Sequence, residues 1–489
     1  MSAQKSKTAE IRAKFNHPVI DSDGHLGEYL PVLREYLAAA GGKTILRDFG
    51  RAFGKTFLST EWYGLTPEQR REVRSKRPPF WGIPTKNTLD LATSLFPRLL
   101  HERMDDIGLD FAVLYPGLGI GAQVFEDEEV RRATCRALND YYADVFGDFP
   151  DRITPVAVIP MHTPQEAIDE LEHAVGKRGL KVVMLPSHIR RPVAEVAKKY
   201  PEAARWAFWL DTYGIDSDYD YDPVWAKCRQ LKVIPTFHGP GEGWGSRGSI
   251  SNYVYNHIGH FGAAGEAVCK SLFLGGVTRR FPDLKFLFLE GGVGWARSLL
   301  ADIKGHWEKR NVKALSNYDP RNLDREQFTE LYHRYGDKLA RSDMPIGMEA
   351  MHFRGRAEDP AAIDDFVHCG IEQKSDIRDL FVPNFYFGCE ADDPITCSAF
   401  DSKRNPFKVR LNAVFGSDIG HFDVPDMLEV LPEVYEMVDE EMATADDFRD
   451  FVFGNPVKLW TAVNPDFFKG TVVEGAVNRY LSQQTNSGI

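Results

Sequence analysis

Short apolar runs recur along the chain and alternate with segments of helical periodicity. Eight of these runs have the length and the content of Val, Ile, Leu and Phe that are typical of buried strands. Segments 126–146 and 164–175, which lie between runs, show the spacing of amphipathic helices. The eight predicted strands are 18–23, 111–115, 153–160, 180–185, 233–238, 284–290, 384–388 and 412–418.

Near-continuous apolar strands that alternate with helices predict an α/β protein whose parallel sheet is covered by helices. Eight such strands fit a closed (β/α)8 TIM barrel, distorted by helical and loop insertions. An open doubly wound sheet is the main rival, but that fold normally carries a glycine-rich phosphate loop after its first strand. The sequence DSDGHLGE at 21–28 is not such a loop. The pattern therefore favours the barrel.

Three long segments do not fit a minimal barrel, and we interpret them as insertions at about 35–100, 188–222 and 305–380. Loops of this length inside a compact domain usually carry a function or their own structure, so we expect them to cover the barrel mouth or to build a subunit interface. Phe80, Trp81 and Trp244 are candidates for a pocket wall. The predicted organisation is an N-terminal extension at 1–17, one barrel domain at 18–470 that includes the insertions, and a C-terminal tail at 471–489.

The composition narrows the class of protein. The net charge of −12 argues against a protein that binds nucleic acid or an anionic membrane, since both favour a basic surface. No apolar run is long enough to cross a bilayer, and the N-terminal residues do not resemble a signal peptide. The six cysteines show no CxxC spacing, which argues against a zinc ribbon or a disulfide framework. We therefore expect a cytoplasmic enzyme whose partner is a small-molecule substrate.

Residue types that bind metals stand at the ends of four predicted strands. Asp23 and His25 are two positions apart, so an extended backbone points both side chains to the same side. His238 ends another strand and precedes the glycine-rich GPGEGWGSRG, which allows a ligand to approach the backbone. Because strand ends converge at one edge of a barrel, such side chains can share one metal ion. The predicted metal ligands are Asp23, His25, His238, Glu290 and Asp418.

Five segments carry a resemblance to a known family. They are VIDSDGH near the start, MDDIGLDFAVLYP, GGVTRRFPDLKFLFLEGGVGW, FGSDIGHFD and the late FGNPVKLW. In this order they resemble the amidohydrolase superfamily, and more narrowly its amidohydrolase-related branch of metal-dependent enzymes similar to aminocarboxymuconate-semialdehyde decarboxylase. The resemblance implies that the metal ligands come from the first strand, from a histidine after strand five and from an aspartate after strand eight. The matching positions are Asp23, His25, His238 and Asp418.

The chain departs from the family pattern at two positions. Asp23 stands where the family usually has a histidine, and Glu290 occupies a position after strand six that is often histidine. A more oxygen-rich set of ligands shifts metal preference from zinc towards manganese or iron. The fourth strand, LKVVML, does not clearly supply the carboxylated lysine that bridges two metals in binuclear relatives. We interpret Lys181 on that strand as a charge at the strand edge.

The leading hypothesis is a metal-dependent hydrolase or a decarboxylase-like carbon–carbon lyase that acts on a small carboxylated or cyclic substrate. One or two divalent ions of zinc, manganese or iron would polarise a carbonyl group or activate a bound water. The resemblance implies that Asp418 both binds the metal and accepts the proton of that water. Glu290 and His260 are further candidates for acid–base catalysis.

Two alternatives belong to other classes. Two histidines with several carboxylates also resemble non-haem iron sites, so a mono- or diiron monooxygenase on the same barrel is the first alternative. A second metal ion requires that Glu28, His257, His260 or Glu290 also reach the centre, and the role of His421 is left open. The second alternative is a barrel without activity that serves as a binding or scaffold protein. For the assembly, the family resemblance and the long insertions predict a homodimer.

Overall fold

The fold is seen in a computed structural model that describes residues 6–56, 61–79, 82–339 and 359–486. The strands in these ranges are β1 (Ile20–Leu26), β2 (Phe111–Pro116), β3 (Ile153–Val158), β4 (Val182–Leu185), β5 (Ile189–Pro192), β6 (Phe208–Asp211), β7 (Pro235–Phe237), β8 (Phe286–Phe288), β9 (Phe385–Cys389) and β10 (Asn412–Phe415). Eight of them form one parallel sheet in the order β1-β2-β3-β4-β7-β8-β9-β10. The other two, β5 and β6, form a separate antiparallel hairpin.

Two backbone hydrogen bonds join the first strand of the parallel sheet to the loop that directly follows the last strand. His25 N donates to Ile419 O at 2.7 Å, and Asp418 N donates to Asp23 O at 2.9 Å. The eight strands therefore form a nearly closed barrel, and the predicted (β/α)8 TIM barrel is confirmed. The eight predicted strands coincide with the eight barrel strands and differ from them only at their ends.

The barrel strands are apolar because helices cover their outer faces and side chains fill the interior. Every residue of β2 and β4 is buried. The ring of Phe237 stacks on Phe288 with centroids 5.6 Å apart, and Phe288 stacks on Phe387 at 6.1 Å. An aromatic layer thus links β7, β8 and β9 and supports the strand ends that follow.

Helices surround the barrel and build most of the insertions. The predicted helix at 126–146 is observed at Glu128–Phe146, and the one at 164–175 is observed at Pro164–Leu171 followed by a π-helical turn. The α-helices of the described ranges are α1 (Lys7–Arg12), α2 (Leu30–Phe53), α3 (Glu61–Gly64), α4 (Pro67–Val73), α5 (Thr88–Leu95), α6 (Pro97–Ile107), α7 (Gly117–Ala122), α8 (Glu128–Phe146), α9 (Pro164–Leu171), α10 (Ala194–Lys199), α11 (Asp222–Leu231), α12 (Tyr253–His257), α13 (His260–Leu274), α14 (Val277–Arg280), α15 (Gly294–Arg310), α16 (Arg325–Tyr335), α17 (Lys374–Phe381), α18 (Val430–Asp439), α19 (Ala445–Arg449), α20 (Asn455–Thr461) and α21 (Glu474–Asn486). Short 3-10 and π turns lie at Glu172–Lys177, Pro201–Ala203, Ala314–Tyr318, Pro320–Asn322, Asp337–Leu339, Pro360–Ile363, Pro394–Phe400, Pro406–Lys408 and Asp450–Gly454.

The first insertion, at 35–100, is fastened to the long loop after β7. Trp62 lies between two guanidinium groups, with the Cζ atoms of Arg70 and Arg77 3.4 and 4.6 Å from its ring centroid. Its Nε1 donates to Ile250 O at 2.9 Å, and Arg77 N donates to Ser249 O at 2.9 Å. Phe80 and Trp81, which the sequence suggested as pocket walls, lie outside the described residues.

The remaining segments have structure of their own. The insertion at 188–222 contains the β5–β6 hairpin, which the sequence pattern did not predict, and Arg191 Nε lies 3.0 Å from Asp211 Oδ2 across it. Residues 340–358 of the third insertion are outside the described ranges. At the end of the chain, α21 buries Val477 and Tyr480. The division into extension, barrel and tail stays a prediction. No helix within the described ranges has the length and apolar character needed to cross a membrane.

Candidate metal centre

Two of the predicted ligands lie within β1, which runs further than the predicted strand at 18–23. Asp23 and His25 are two residues apart, and a break in the pairing register between Asp21 and Gly24 bends the strand beside them. The Asp21 carboxylate fastens this strand to the loop after β10, because its Oδ1 accepts from Ser417 N at 2.9 Å and its Oδ2 accepts from Ser417 Oγ at 2.6 Å. Burial raises the pKa of Asp21 to about 6.

The other three predicted ligands follow strands at the same end of the barrel. His238 comes directly after β7, Glu290 two residues after β8 and Asp418 three residues after β10. The backbones of Glu290 and Asp418 are left-handed, with φ of 50° and 54°. Residues other than glycine adopt this conformation at a cost, and such positions concentrate at functional sites. A Cβ on Gly416 would lie 2.8 Å from the Asp23 Cβ, so glycine lets the loop after β10 pass close to β1.

The structure brings these five side chains together. His25 Nε2 lies 2.8 Å from Asp418 Oδ1, 3.7 Å from Glu290 Oε1 and 4.0 Å from Asp23 Oδ1. His238 Nε2 lies 3.4 Å from Glu290 Oε2 and 3.9 Å from Asp23 Oδ1. Two overlapping groups, one of Asp23, His25 and His238 and one of His25, Glu290 and Asp418, each have ligand atoms within 4.8 Å of one another. Their role as metal ligands stays a prediction.

Many polar atoms of this cluster are buried and form no hydrogen bond of suitable geometry with a described residue, although His25 Nε2 and Asp418 Oδ1 lie only 2.8 Å apart. No side chain of the five is more than 5% exposed. Buried polar groups normally have partners, so such a concentration calls for a missing one. The eight unpaired atoms are Asp23 Oδ1, both ring nitrogens of His25 and of His238, Glu290 Oε2 and both carboxylate oxygens of Asp418.

The pKa values of the cluster also indicate a site for a cation. Burial raises the pKa of Asp23 well above its usual value and that of Asp418 to about 7. For Glu290, burial would raise the pKa, but His238 and His25 hold it well below its usual value. Burial alone would lower the pKa of His25, whereas Asp418 and Glu290 raise it to about 10. Burial lowers the pKa of His238 to about 3. A divalent cation would offset the repulsion among the three carboxylates and give the unpaired atoms a partner, so these residues fit such an ion.

His421 contacts this cluster more closely than the sequence indicated. Its Nδ1 lies 3.0 Å from Asp418 Oδ2 and 2.5 Å from Asp423 Oδ1, and its ring stacks on His25 with centroids 4.9 Å apart. Asp418, His421 and Asp423 form a third group of candidate ligand atoms. Burial alone would lower the pKa of His421, but Asp418 and Asp423 raise it well above its usual value. The spacing of three between Asp418 and His421 was the only sign in the sequence.

Glu390 is a carboxylate near the centre that sequence reasoning missed. It follows β9 directly, and burial raises its pKa well above the usual value, with Asp418 and Glu290 adding to the shift. The sequence GCE after the seventh barrel strand parallels FLE after the sixth. A search for carboxylates after every strand would have found it.

Three other candidates from the sequence are not among the grouped ligand atoms and make other contacts. His260 is buried behind Phe261, whose ring lies 4.0 Å from His260 and 5.1 Å from His238, and burial lowers the pKa of His260 to about 3. His257 packs against His260 with centroids 4.6 Å apart. Glu28 instead accepts hydrogen bonds from the hydroxyl of Tyr142 at 2.8 Å and from Leu118 N at 3.0 Å. The catalytic role suggested for His260 stays a prediction.

Lys181 and Trp244 complete the set of sequence candidates. Lys181 precedes β4, at the opposite end from the cluster, and its Nζ donates to Phe467 O at 3.4 Å. It is therefore placed as a strand-edge charge rather than near the candidate metal ligands. Trp244 lies edge-on to His188, with ring centroids 4.8 Å apart.

A family described as amidohydrolase has a sequence model that matches residues 96–338, about half of the chain. The chain belongs to the amidohydrolase family. The resemblance found in the sequence is thereby confirmed. The matched residues include His238 and Glu290 of the candidate centre.

This amidohydrolase is also similar to a curated protein, the gamma-resorcylate decarboxylase of Polaromonas sp. (strain JS666 / ATCC BAA-500). The two are 26% identical over 146 residues, which is 29% of this chain and 44% of the relative. The match thus spans less than half of the relative's length.

Solved structures with a similar course of the chain include two decarboxylases. A dihydroxybenzoic acid decarboxylase from Polaromonas sp. JS666, with bound manganese and the inhibitor 2-nitroresorcinol, aligns with a TM-score of 0.48 and 14% identity over 93% of the amidohydrolase and 100% of that chain. The 5-carboxyvanillate decarboxylase LigW from Sphingomonas paucimobilis aligns with a TM-score of 0.49 and 13% identity over 91% and 99% of the two chains.

Proposed function

We propose that this amidohydrolase is a metal-dependent decarboxylase that acts on a small aromatic carboxylate. The observation that carries the proposal is the cluster of five side chains with eight buried and unpaired nitrogen and oxygen atoms. The sequence similarity to gamma-resorcylate decarboxylase supports decarboxylation over the hydrolytic chemistry that the same barrel can perform.

In the proposal, Asp23, His25, His238 and Asp418 would hold one divalent ion, with Glu290 beside them in the same cluster. When bound, the ion supplies a Lewis acid that polarises an oxygen of the substrate. Three carboxylates among five ligand candidates favour manganese over zinc. The aromatic layer of Phe237 and Phe288 keeps the strand ends that carry His238 and Glu290 in register.

The side chains then have distinct tasks. In decarboxylation the bond between the ring carbon and the carboxylate carbon breaks, carbon dioxide leaves, and the ring carbon takes up one proton. Glu290 is ionised at rest, because its pKa is held well below the usual value, and it needs a source for this proton. We assign to Glu290 the transfer of a proton from His421, whose pKa is raised well above its usual value and whose Nδ1 lies 3.9 Å from Glu290 Oε1. Burial of all five side chains keeps bulk water away from the reacting carbon.

Metal analysis of the protein purified without added metal or chelator tests the proposal, followed by an assay of carbon dioxide release from a panel of hydroxybenzoates. We expect about one manganese or zinc ion per chain. We also expect release that stops with a chelator and returns with manganese. Absence of bound metal would overturn the proposal. Two irons per chain with oxygen consumption would replace it by the monooxygenase alternative, for which Asp418, His421 and Asp423 offer a second set of ligands.

We further infer that the protein acts as a homodimer in the cytoplasm and does not bind nucleic acid. The family resemblance and the long insertions support the dimer, and the net charge of −12 argues against nucleic acid. Light scattering after size-exclusion chromatography tests the dimer, and a monomeric mass would refute it.

A further inference from the structure

A second cavity lies at the same end of the barrel as the candidate metal centre. It has a volume of about 630 Å³ and is bounded by segments that follow β2, β3, β4 and β7, with α2 and the strand-like segment around Lys76 as its roof. None of the five predicted metal ligands lines it. We call it the lateral cavity and define it by Lys55, Lys76, Gln123, His188, Arg190 and Glu242.

Three cations line the lateral cavity without an ion pair to any described carboxylate within 4.0 Å. Lys76 Nζ donates to the backbone carbonyl of Glu242 at 3.0 Å, and Arg190 Cζ lies 4.8 Å from the ring centroid of Phe208. Lys55 is the third. The three cations therefore have no close ion pair among the described residues, and a bound anion could approach them.

The acidic residues that line the cavity are mostly engaged elsewhere. Asp48 is paired with Arg47 and lies 3.4 Å from Arg51. Asp127 Oδ1 accepts from Val130 N at 3.0 Å and caps α8. Glu242 is the acidic residue whose charge acts on Lys76, and burial raises the pKa of Glu242 to about 7. Burial lowers the pKa of Arg190, and the charge of Glu126, which also lines the cavity, opposes this shift. Neither Glu126 nor Glu242 forms an ion pair within 4.0 Å of Lys76 or Arg190, so an anion can still approach the two cations.

Neutral hydrogen-bonding groups also line the lateral cavity. Gln123 is completely buried, and neither its amide nitrogen nor its amide oxygen has a partner among the described residues. His188 is 9% exposed, and its Nδ1 also has no hydrogen-bond partner among the described residues. Burial, with Arg190 and Lys76 nearby, lowers the pKa of His188 to about 3, so its imidazole is neutral and offers one N–H. An unpaired buried amide is costly unless a ligand pairs with it.

The two central cations also act on each other. Burial and the charge of Arg190 lower the pKa of Lys76 to about 8. A negatively charged group between them would relieve this repulsion. The cavity is much larger than a single small ion needs and falls in the range of sites for whole small molecules.

We propose that the lateral cavity binds a carboxylate or phosphate group of a small molecule, held by Lys76 and Arg190 and hydrogen-bonded by Gln123 and His188. Gly239 lines the cavity and directly follows His238, so the bound group lies beside the strand end that carries a predicted metal ligand. The group belongs either to the far end of a molecule whose other carboxylate lies at the metal centre or to a separate small anion. Binding to the cavity does not require that the proposed decarboxylation occurs.

Isothermal titration calorimetry of the full chain as purified tests this site with two probes, inorganic phosphate and isophthalate. The variants are Lys76→Gln and Arg190→Gln, and the matched control is Lys403→Gln, an exposed lysine away from the cavity. We expect saturable binding of phosphate at one site per chain, weakened about tenfold or more in each cavity variant and unchanged in the control. Thermal melting confirms that each variant is folded.

The His238→Ala variant shows whether phosphate binds in the lateral cavity or at the metal centre. It also shows whether the bound group belongs to a molecule that spans both regions or to a separate anion. Retained phosphate binding in this variant supports the cavity, whereas loss of phosphate binding there, with Lys76→Gln unaffected, would place the anion at the metal centre and overturn the proposal. Weaker isophthalate binding in His238→Ala indicates one molecule that spans both sites, and unchanged binding indicates a separate anion.

Failure of phosphate to bind at all would also overturn the proposal. If Lys76→Gln does not fold, mass spectrometry of lysine acetylation in the unmodified chain replaces it. Phosphate should then slow the acetylation of Lys76 and leave that of Lys403 unchanged. Equal rates at Lys76 with and without phosphate would refute the site.

Discussion

The candidate metal centre and the lateral cavity share one end of the barrel but differ in which charged groups lack a close ion pair. Carboxylates dominate the first, where Asp23, Glu290 and Asp418 face two histidines within a few ångströms. In the second, Lys76 and Arg190 form no ion pair within 4.0 Å, although acidic side chains also line the cavity. Our proposals therefore place a metal ion in the first region and an anion in the second.

The two regions also differ in what builds them. The metal centre rests on β1 and on residues one to three positions after β7, β8 and β10, and its side chains are held by the barrel itself. The lateral cavity draws its cations from the residues just after α2, from the segment around Lys76 and from the β5–β6 hairpin, all of which lie in or next to insertions. In our proposals the barrel supplies the reactive groups, and the insertions supply the groups that bind the anion.

Exchanging one buried histidine in each region gives the largest expected contrast. His238→Ala should abolish metal binding and turnover together, because it removes one of the two histidines among the five ligand candidates, and His421 lies on the other side of the cluster against His25 and Asp418. His188→Ala, the matched change in the lateral cavity, should keep the full metal content. Elemental analysis of both variants measures the contrast. Equal metal content in the two would eliminate the assigned centre.

Within the metal centre, the Glu290→Gln variant tests whether Glu290 transfers a proton or is required to bind the metal. We expect the metal to stay, because the other four ligand candidates remain, while turnover falls by roughly 10²–10⁴-fold. Metal content and the rate of carbon dioxide release are measured on the same sample. Loss of metal would identify Glu290 as a required ligand instead.

Glu28 lies between the two regions. Its ionisation should have a smaller effect, which changes the stability of the fold rather than the reaction. Glu28 follows β1 and accepts from Leu118 N on α7, the helix whose Ile120 lines the lateral cavity. Burial raises the pKa of Glu28 from 4.5 to about 7, so its contribution is present below pH 4.5 and is lost as the pH rises through 7. The free energy of unfolding should fall by up to about 3 kcal/mol over this window.

Urea unfolding at pH 5 and pH 8 measures this dependence. The Glu28→Gln variant should lose that part of the slope, because glutamine keeps an acceptor for Leu118 N and carries no proton to release. Glu202→Gln, a change at an exposed glutamate, serves as the control and should keep it. An unchanged slope in Glu28→Gln would show that Glu28 does not carry the effect.

The smallest effect is expected at the opposite end of the barrel. Lys181→Met should leave metal content and turnover unchanged, because Lys181 packs against Phe467, with its Nζ 5.8 Å from the ring centroid, and faces neither region. A drop in metal content in this variant would support the hypothesis that Lys181 is a carboxylated lysine that bridges two metals, as in binuclear relatives.

The sequence predicted the barrel and the five clustered residues for the same physical reason. Buried parallel strands must be apolar throughout, so a charged residue such as Asp23 or Glu290 at the end of an apolar run is conspicuous. What it could not predict depends on loops. His421 reaches Asp418 through a turn in which Gly420 has φ of 83°, and short segments such as Ile189–Pro192 pair only because the surrounding chain aligns them. The lateral cavity joins residues as distant as Lys55 and Glu242, which no local pattern connects.

The left-handed backbones of Glu290 and Asp418 offer a criterion for reading related chains. Each costs about 1 kcal/mol relative to a glycine in the same turn, so a barrel that had lost its chemistry would gain stability by replacing either carboxylate with glycine or asparagine. A relative that keeps both acids at these two turns still bears the cost of a working centre. A relative with glycine at both has been released from that constraint, whatever the rest of its sequence retains.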